Sequence, residues 1–214
     1  MYLPQIFEES RLTVLHRLIR SHALGTFVVL HGTQLVANHL PFLLESGEGS
    51  YGTLRAHVAR SNPLWRCLDA PVDALAVFQG PESYITPSWY PSKRADGKVV
   101  PTWNYAVVHA YGRPRAIEDP RWLLDHVTRL TDQQESQRPQ PWRPADAPPD
   151  FIEQMITHIV GLEMPISRIE GKWKVSQNRK LADRLGVAAG LESSGTEVSS
   201  AVADLVMERV TPDA

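Results

Sequence analysis

Side chains able to hold a flat, charged molecule concentrate between Val77 and His109. This segment carries Lys93, Thr102, Trp103 and Asn104, interleaved with several prolines. Aromatic rings stack on planar ligands, while hydroxyl, amide and ammonium groups bind an anion through hydrogen bonds. The segment therefore suits a planar ring that carries a phosphate or another anion. An aromatic loop that only covers the end of a barrel explains the same composition equally well.

A second candidate anion site lies where a predicted strand meets a short predicted helix. Asn62 is a favourable N-cap and Pro63 suits the first helical position. The strand that carries His57 and Arg60 therefore leads directly into a helix N-terminus, whose free N–H groups and dipole attract anions. We expect His57, Arg60, Ser61 and Asn62 to face a bound anion, although such junctions also occur widely without ligands.

The densest basic cluster comprises Lys172, Lys174, Arg179 and Lys180, with Trp173 between the two lysines. Such a cluster binds phosphate, or nucleic acid if the indole stacks on a base. A solvated connection between a strand and a helix is the simpler interpretation. No helix-turn-helix pattern accompanies the cluster, so a DNA contact here would be of another kind.

Motifs typical of several enzyme classes are absent. The sequence contains no GxGxxG, GxxxxGK[ST], GxSxG, HExxH or CxxC pattern. The eight histidines are scattered, and no pair of residues is convincing as a general acid and base. The sequence therefore names no reaction and no metal site.

Hydrophobic periodicity predicts a helix, a run of strands, one short helix, more strands, and then helices interrupted by a strand. The predicted helices cover residues 8–24 (ending at Gly25), 62–68, 120–130, 151–160 (ending at Gly161) and 178–185 (ending at Gly186), with a C-terminal helix after residue 196. The predicted strands cover residues 26–30, 34–39, 41–44, 51–58, 73–79, 105–116 and 162–169. This order indicates an α+β fold with a mainly antiparallel sheet or barrel, flanked by helices. The main domain is predicted to span residues 1–191, followed by a linker and a helix in residues 192–214.

Composition excludes other classes of protein. The 214 residues carry a formal net charge of −2, which gives no general attraction to DNA or to anionic membranes. No apolar run is long enough to span a bilayer, and the N-terminus lacks the pattern of a signal peptide. Cys67 is the single cysteine, which fits a reducing cytoplasm.

Six segments together resemble the PaiB family of FMN-binding negative transcriptional regulators. They are MYLPQIF from Met1, HLPF from His39, AHVARSNPLW from Ala56, VFQGPESYITPSWYPSK from Val77, VPTWNYAVVHAYG from Val100, and KWKVSQNR from Lys172. The resemblance extends from Met1 to about Leu191, and several of the matching segments are long and contain tryptophan.

The resemblance implies a split β-barrel fold of the FMN-binding type and a homodimer with FMN in a groove between subunits. It implies that the phosphate lies near His57, Arg60, Ser61 and Asn62. The flavin would then be approached by Lys93, Thr102, Trp103 and Asn104. It also implies transcriptional repression, for which Lys172, Lys174, Arg179 and Lys180 are the candidate contacts to promoter DNA. Two alternatives remain: a flavin- or haem-dependent oxidoreductase on the same scaffold, and a sensory binding module without catalysis.

Overall fold

The computed structural model describes residues 1–68 and 72–210, in which helices alternate with groups of strands along the chain. The strands are β1 (Glu8–Glu9), β2 (Leu24–His31), β3 (Gln34–Pro41), β4 (Leu43–Glu45), β5 (Thr53–Ala59), β6 (Ala74–Ile85), β7 (Thr102–Gly112), β8 (Arg115–Ile117) and β9 (Ile159–Lys174). The α-helices are α1 (Leu12–Ser21), α2 (Ser92–Ala95), α3 (Pro120–Glu135), α4 (Pro149–Thr157), α5 (Leu181–Ser193) and α6 (Glu197–Glu208). Short 3₁₀ helices cover Pro63–Cys67 and Pro87–Trp89.

The strands hydrogen-bond in the order β3-β2-β6-β7-β9-β5-β4, and β1 and β8 pair in addition with β9. Pairing is antiparallel between β2 and β3, β2 and β6, β4 and β5, and β5 and β9. The predicted α+β class with a mainly antiparallel sheet is therefore confirmed.

The chain divides into two compact units, and β6, β7 and β9 each contribute residues to both. The first unit contains Met1–Leu15, Gln79–Val108 and Glu170–Ala214, and the second contains His16–Phe78 and His109–Ile169. Within the described ranges, no helix is long and apolar enough to cross a membrane.

In the second unit, the hairpin of β2 and β3 turns at Gly32, which has a φ of +58°. Gly25 lies inside β2, so its predicted role as the cap of a preceding helix is wrong. A Cβ at Gly25 would lie 2.8 Å from the ring of Phe78 and 3.1 Å from that of Phe42. The glycine is needed for close packing against these two rings, which sequence periodicity does not reveal.

In the second unit, α3 begins where predicted, whereas α4 begins two residues earlier than predicted, at Pro149. Asp119 caps α3 by accepting hydrogen bonds from the backbone N–H groups of Arg121 and Trp122. The helix predicted over residues 151–160 ends at Thr157, and Gly161 lies inside β9. A Cβ at Gly161 would collide with the ring of Trp122, so this glycine also serves packing rather than helix termination.

The helix predicted over residues 8–24 is shortened to α1, whose residues are divided between the two units. Glu8 and Glu9 instead pair as β1 with Lys172 and Gly171 of β9. The Glu9 side chain is buried and forms ion pairs with Arg11, at 2.8 Å, and with Arg209 beyond the end of α6. This acidic residue therefore links β1 to the region just after α6 within the first unit.

Helix α5 continues through Gly186, where the sequence predicted that it would end. A Cβ at Gly186 would collide with the backbone of Trp89, and a Cβ at Gly190 would collide with the indole ring of Trp89. The two glycines, four residues apart, open one face of α5 to the 3₁₀ helix Pro87–Trp89.

The predicted C-terminal helix is α6, capped by Thr196 through the backbone N–H of Ser199. It packs against α5 and buries Val202, Ala203 and Val206. Residues 211–214, which end the predicted C-terminal segment, lie outside the described residues.

Candidate functional site

A small polar pocket in the first unit brings together residues from two of the predicted sets. It has a volume of about 60 Å³ and is lined by Thr102, Asn104, Lys174, Ser176, Asn178 and Arg179. The strands β7 and β9 supply Thr102, Asn104 and Lys174, and the turn before α5 supplies the others. These six described residues carry two positive charges, two hydroxyl groups and two amides, but no carboxylate. Such a set of donors suits a compact anion such as a phosphate.

Hydrogen bonds fix the walls of this pocket. The Lys174 ammonium donates to the Thr102 hydroxyl and, at 2.6 Å, to the carbonyl of Trp103. Asn104 is fully buried, and its Nδ2 donates to Ser176 Oγ at 2.9 Å. The pocket is therefore preformed by contacts between its own polar groups.

Ser176 adopts a backbone conformation that is unusual for its residue type. Its φ is +67°, and no other described residue apart from glycine has a positive φ. Left-handed conformations are uncommon for residues with a side chain and cluster at functional sites. The strained turn places Ser176 Oγ beside Asn104 and thereby completes the polar lining.

Lys172 and Arg179 place further positive charge close to Lys174. Its pKa lies below the usual lysine value, first because the ammonium is partly buried and then because Lys172 and Arg179 are nearby cations. A bound anion would relieve both the repulsion and part of the desolvation. The pocket is thus electrostatically prepared for a negative group.

An exposed aromatic pair lies on the opposite face of β7 from this pocket. The rings of Tyr84 and Trp103 meet edge to face, with their centroids 6.0 Å apart, and about half of each side chain is exposed. Because side chains alternate along a strand, Trp103 faces away from Thr102 and Asn104. The indole therefore offers a stacking surface, but on the other side of the strand from the polar pocket.

The second predicted set, from His57 to Asn62, lies in the second unit. The Arg60 guanidinium donates to the carbonyls of Thr157, at 2.8 Å, and Ile159, at 3.2 Å, and pairs with Glu118 at 2.5 Å. Asn62 caps the 3₁₀ helix as predicted and also donates from Nδ2 to Asn38 at 2.9 Å. Ser61 is exposed. The 3₁₀ helix has only five residues, and the Arg60 guanidinium already has three protein partners. Few hydrogen-bond donors at this junction are therefore available to bind an anion.

His57 has a partner that the sequence did not indicate. Its Nδ1 lies 3.2 Å from Nε2 of His126, a residue of α3 that is only 1% exposed and stacks on Trp122. Burial lowers the pKa of both imidazoles, and the pKa of His126 falls to about 3. A neutral His57 therefore contributes no positive charge to an anion site.

The remaining predicted residues differ in their accessibility. Lys93 is exposed and its Nζ lies 3.2 Å from Ser88 Oγ. Lys172 lies over the rings of Tyr2 and Tyr105, while Lys180 is exposed at the start of α5. Trp173, considered above as a stacking surface for nucleic acid, is buried and cannot stack on a base.

Sequence reasoning missed Ser176 as a site residue and His126 as the partner of His57. The segment Ser176-Gln177-Asn178 after an alternating strand could have suggested a turn, because serine and asparagine favour turns, although it gives no sign that Ser176 has a positive φ. No comparable sequence pattern marks His126. The periodicity of α3 does not show which strand the helix packs against.

Comparisons with known proteins identify the family of this chain. A family model described as "Putative FMN-binding domain" matches residues 1–168. An uncharacterized protein from Emericella nidulans is 34% identical over 244 residues, with 98% of this chain and 97% of the relative covered. The protease synthase and sporulation protein PAI 2 of Bacillus subtilis is 30% identical over 210 residues, with 98% of both chains covered.

A solved structure of similar fold is the flavocytochrome Anf3 from Azotobacter vinelandii. The TM-score is 0.57 at 11% sequence identity, and the match covers 78% of this chain and 69% of the other. At this identity the likeness concerns the fold alone, and it confirms the predicted split β-barrel of the flavin-binding type.

Proposed function

Because the chain belongs to the PaiB family of FMN-binding proteins, we propose that it is a cytoplasmic, homodimeric FMN-binding protein that acts as a negative regulator of transcription. The observation that carries the cofactor assignment is the polar pocket of Lys174, Ser176 and Arg179. It combines positive charge with a strained, preformed turn and has the size of a phosphate group rather than of a whole flavin.

The opposite orientation of the pocket and of Trp103 supports a homodimeric site. A flavin whose phosphate enters the pocket needs a stacking surface for its rings, and Trp103 of the same chain lies on the other face of β7. A second copy of the chain would supply an equivalent exposed aromatic pair. We therefore propose that one subunit binds the phosphate and that the other contributes to the ring site.

Titration of the protein with FMN tests the cofactor site. Charge-assisted hydrogen bonds contribute roughly 1.5–3 kcal/mol each in net terms, so replacing both Lys174 and Arg179 by Met should weaken FMN binding about a hundredfold or more. Riboflavin, which lacks the phosphate, should bind the wild type and this variant with equal, weak affinity.

The matched control removes the two cations of the alternative phosphate position, Arg60 and Lys93. If Arg60→Ala with Lys93→Ala causes the hundredfold loss and the Met variant binds FMN normally, the phosphate lies at the junction near Asn62. A wild-type protein that binds no flavin would refute the cofactor assignment altogether.

Gel-shift experiments with promoter DNA test the regulatory assignment. Replacing Lys172, Lys174, Arg179 and Lys180 together by Glu should abolish the shift. The single change Lys180→Glu separates DNA binding from FMN binding, because Lys180 is exposed and does not line the pocket. It should weaken DNA binding and lower the salt dependence while leaving FMN affinity unchanged.

The alternative is a flavin- or haem-dependent oxidoreductase. Rapid bleaching of the bound flavin by NADH or NADPH, together with the absence of a DNA shift, would favour it. The absorption spectrum of the purified protein provides the first discrimination, since a bound haem gives a Soret band and a bound flavin does not.

A further inference from the structure

A second, larger cavity lies in the second unit between the N-terminal part of α3 and α4. Its volume is about 620 Å³, which falls within the range of pockets that bind small organic molecules. Leu123, Leu124, Ile152 and Ile156 provide apolar walls. None of these residues belongs to the polar pocket of the first unit, so the cavity is independent of the flavin site proposed above.

Four charged side chains line this cavity: Arg60, Glu118, Arg121 and Glu153. Arg60 and Glu118 neutralise each other at 2.5 Å. Arg121 on α3 and Glu153 on α4 are both exposed, and neither forms an ion pair with any residue in the described part of the chain. Helices α3 and α4 therefore contribute one positive and one negative side chain without an ion-pair partner among the described residues, beside the apolar lining.

Charge complementarity selects the class of ligand. A fatty acid would neutralise Arg121 and leave Glu153 unpaired, and an apolar amine would do the reverse. A molecule with an apolar body and two opposite charges satisfies both. Because Arg121 lies on α3 and Glu153 on α4, the two charged groups of the ligand belong at its opposite ends, as in a peptide with free termini.

We propose that the cavity between α3 and α4 binds a short peptide, of about two residues, with apolar side chains and free termini. Its carboxylate pairs with Arg121, near the positive end of the α3 dipole, and its ammonium pairs with Glu153. The side chains occupy the space beside Leu123 and Leu124. This assignment goes beyond the proposed flavin binding and gives the protein a second, small-molecule site.

Calorimetric titration of the full-length protein with the dipeptide Leu-Leu is the direct test. Leu-Leu should bind, N-acetyl-Leu-Leu should bind about tenfold more weakly, and Leu-Leu amide should show a similar loss. Arg121→Gln should weaken Leu-Leu binding about tenfold and remove the difference between Leu-Leu and its amide. Glu153→Gln should remove the difference between Leu-Leu and its acetylated form.

Two further variants separate binding from structural effects. Arg138→Gln removes an exposed arginine that pairs with Glu135 outside the cavity, and it should leave the affinity unchanged. Leu124→Trp should fill the cavity and abolish binding without disturbing the core, since the Leu124 side chain is 43% exposed.

Three results would overturn the proposal. The first is the absence of Leu-Leu binding at low millimolar concentration in the wild type. The second is an affinity that depends on neither Arg121 nor Glu153. The third is a change in the sedimentation coefficient of Leu124→Trp without ligand, because the groove would then be a contact between two copies of the chain.

Discussion

At the scale of single residues, the surroundings of His126 oppose its protonation. The imidazole is 1% exposed, its Nδ1 has no hydrogen-bond partner among the described residues, and His57 lies against its other nitrogen. The charges of Arg55 and Arg129 add to the desolvation that lowers its pKa to about 3. The folded state therefore favours the neutral form of His126.

We predict that the free energy of unfolding decreases as the pH falls from about 6.5 towards 3. The unfolded chain binds a proton at His126 in this window and the folded chain does not, so stability is lost by up to about 1.4 kcal/mol per pH unit. The lowered pKa of His57 acts in the same direction. Denaturant titrations at several pH values measure the slope.

The variant His126→Leu should flatten this pH dependence, because it removes the group that takes up the proton on unfolding. His31→Gln, a change at an exposed histidine, serves as the control and should keep the wild-type slope. An unchanged slope in His126→Leu would assign the acid sensitivity to other groups.

At the scale of elements, the contact of α5 with Trp89 depends on two glycines. We predict that Gly190→Ala destabilises the protein by about 1–3 kcal/mol, since the added methyl group would overlap the indole of Trp89. A loss of stability would point to the overlap with Trp89, because replacing glycine by alanine within a helix otherwise stabilises it by roughly 1 kcal/mol. Chemical denaturation of the purified variants gives the measurement.

Gly47→Ala provides the control for this change, because nothing lies within 4 Å of a Cβ at that position. Its unfolding free energy should remain within about 0.5 kcal/mol of the wild type. In the double variant with Trp89→Ala, the penalty of Gly190→Ala should largely disappear. A penalty that persists there would show that Trp89 is not its cause.

The sequence predicted the order of the elements better than the residues at which they end. Caps made by local hydrogen bonds, such as Asp119 and Asn62, were visible because donor and acceptor are neighbours in the chain. Gly25, Gly161 and Gly186 were read as helix ends, yet each serves a long-range contact that sequence periodicity does not contain.

The site was predictable only in part for a related reason. Thr102, Asn104, Lys174 and Arg179 were named from their chemistry, but in two separate sets, because the sequence does not show that the end of β9 lies beside the start of β7. Ser176 joins them only through its backbone conformation, which composition does not reveal.

At the scale of the whole molecule, exposed aromatic side chains favour the proposed dimer. We predict that Trp103→Glu shifts the protein towards monomer, because a charge at the centre of an apolar contact is costly to bury. Sedimentation velocity at several micromolar concentrations measures the shift. Trp142→Glu is the matched control, since Trp142 is exposed to a similar degree, 47% against 53%. Equal behaviour of the two variants, or a wild type that is monomeric with flavin bound, would contradict the prediction.

The position of β9 in the sheet affects how the chain can fold while it is being made. This one strand pairs with β1, β5, β7 and β8, and Glu8 finds its partner only at Lys172. At synthesis rates of about 5–20 residues per second, roughly ten to thirty seconds separate the emergence of β1 from that of its partner. Until β9 emerges, β1, β5, β7 and β8 each have an edge without its partner, and such edges are prone to wrong pairing. A nascent chain halted before Ile159 should therefore remain bound to chaperones, whereas one extended past Lys174 should be released.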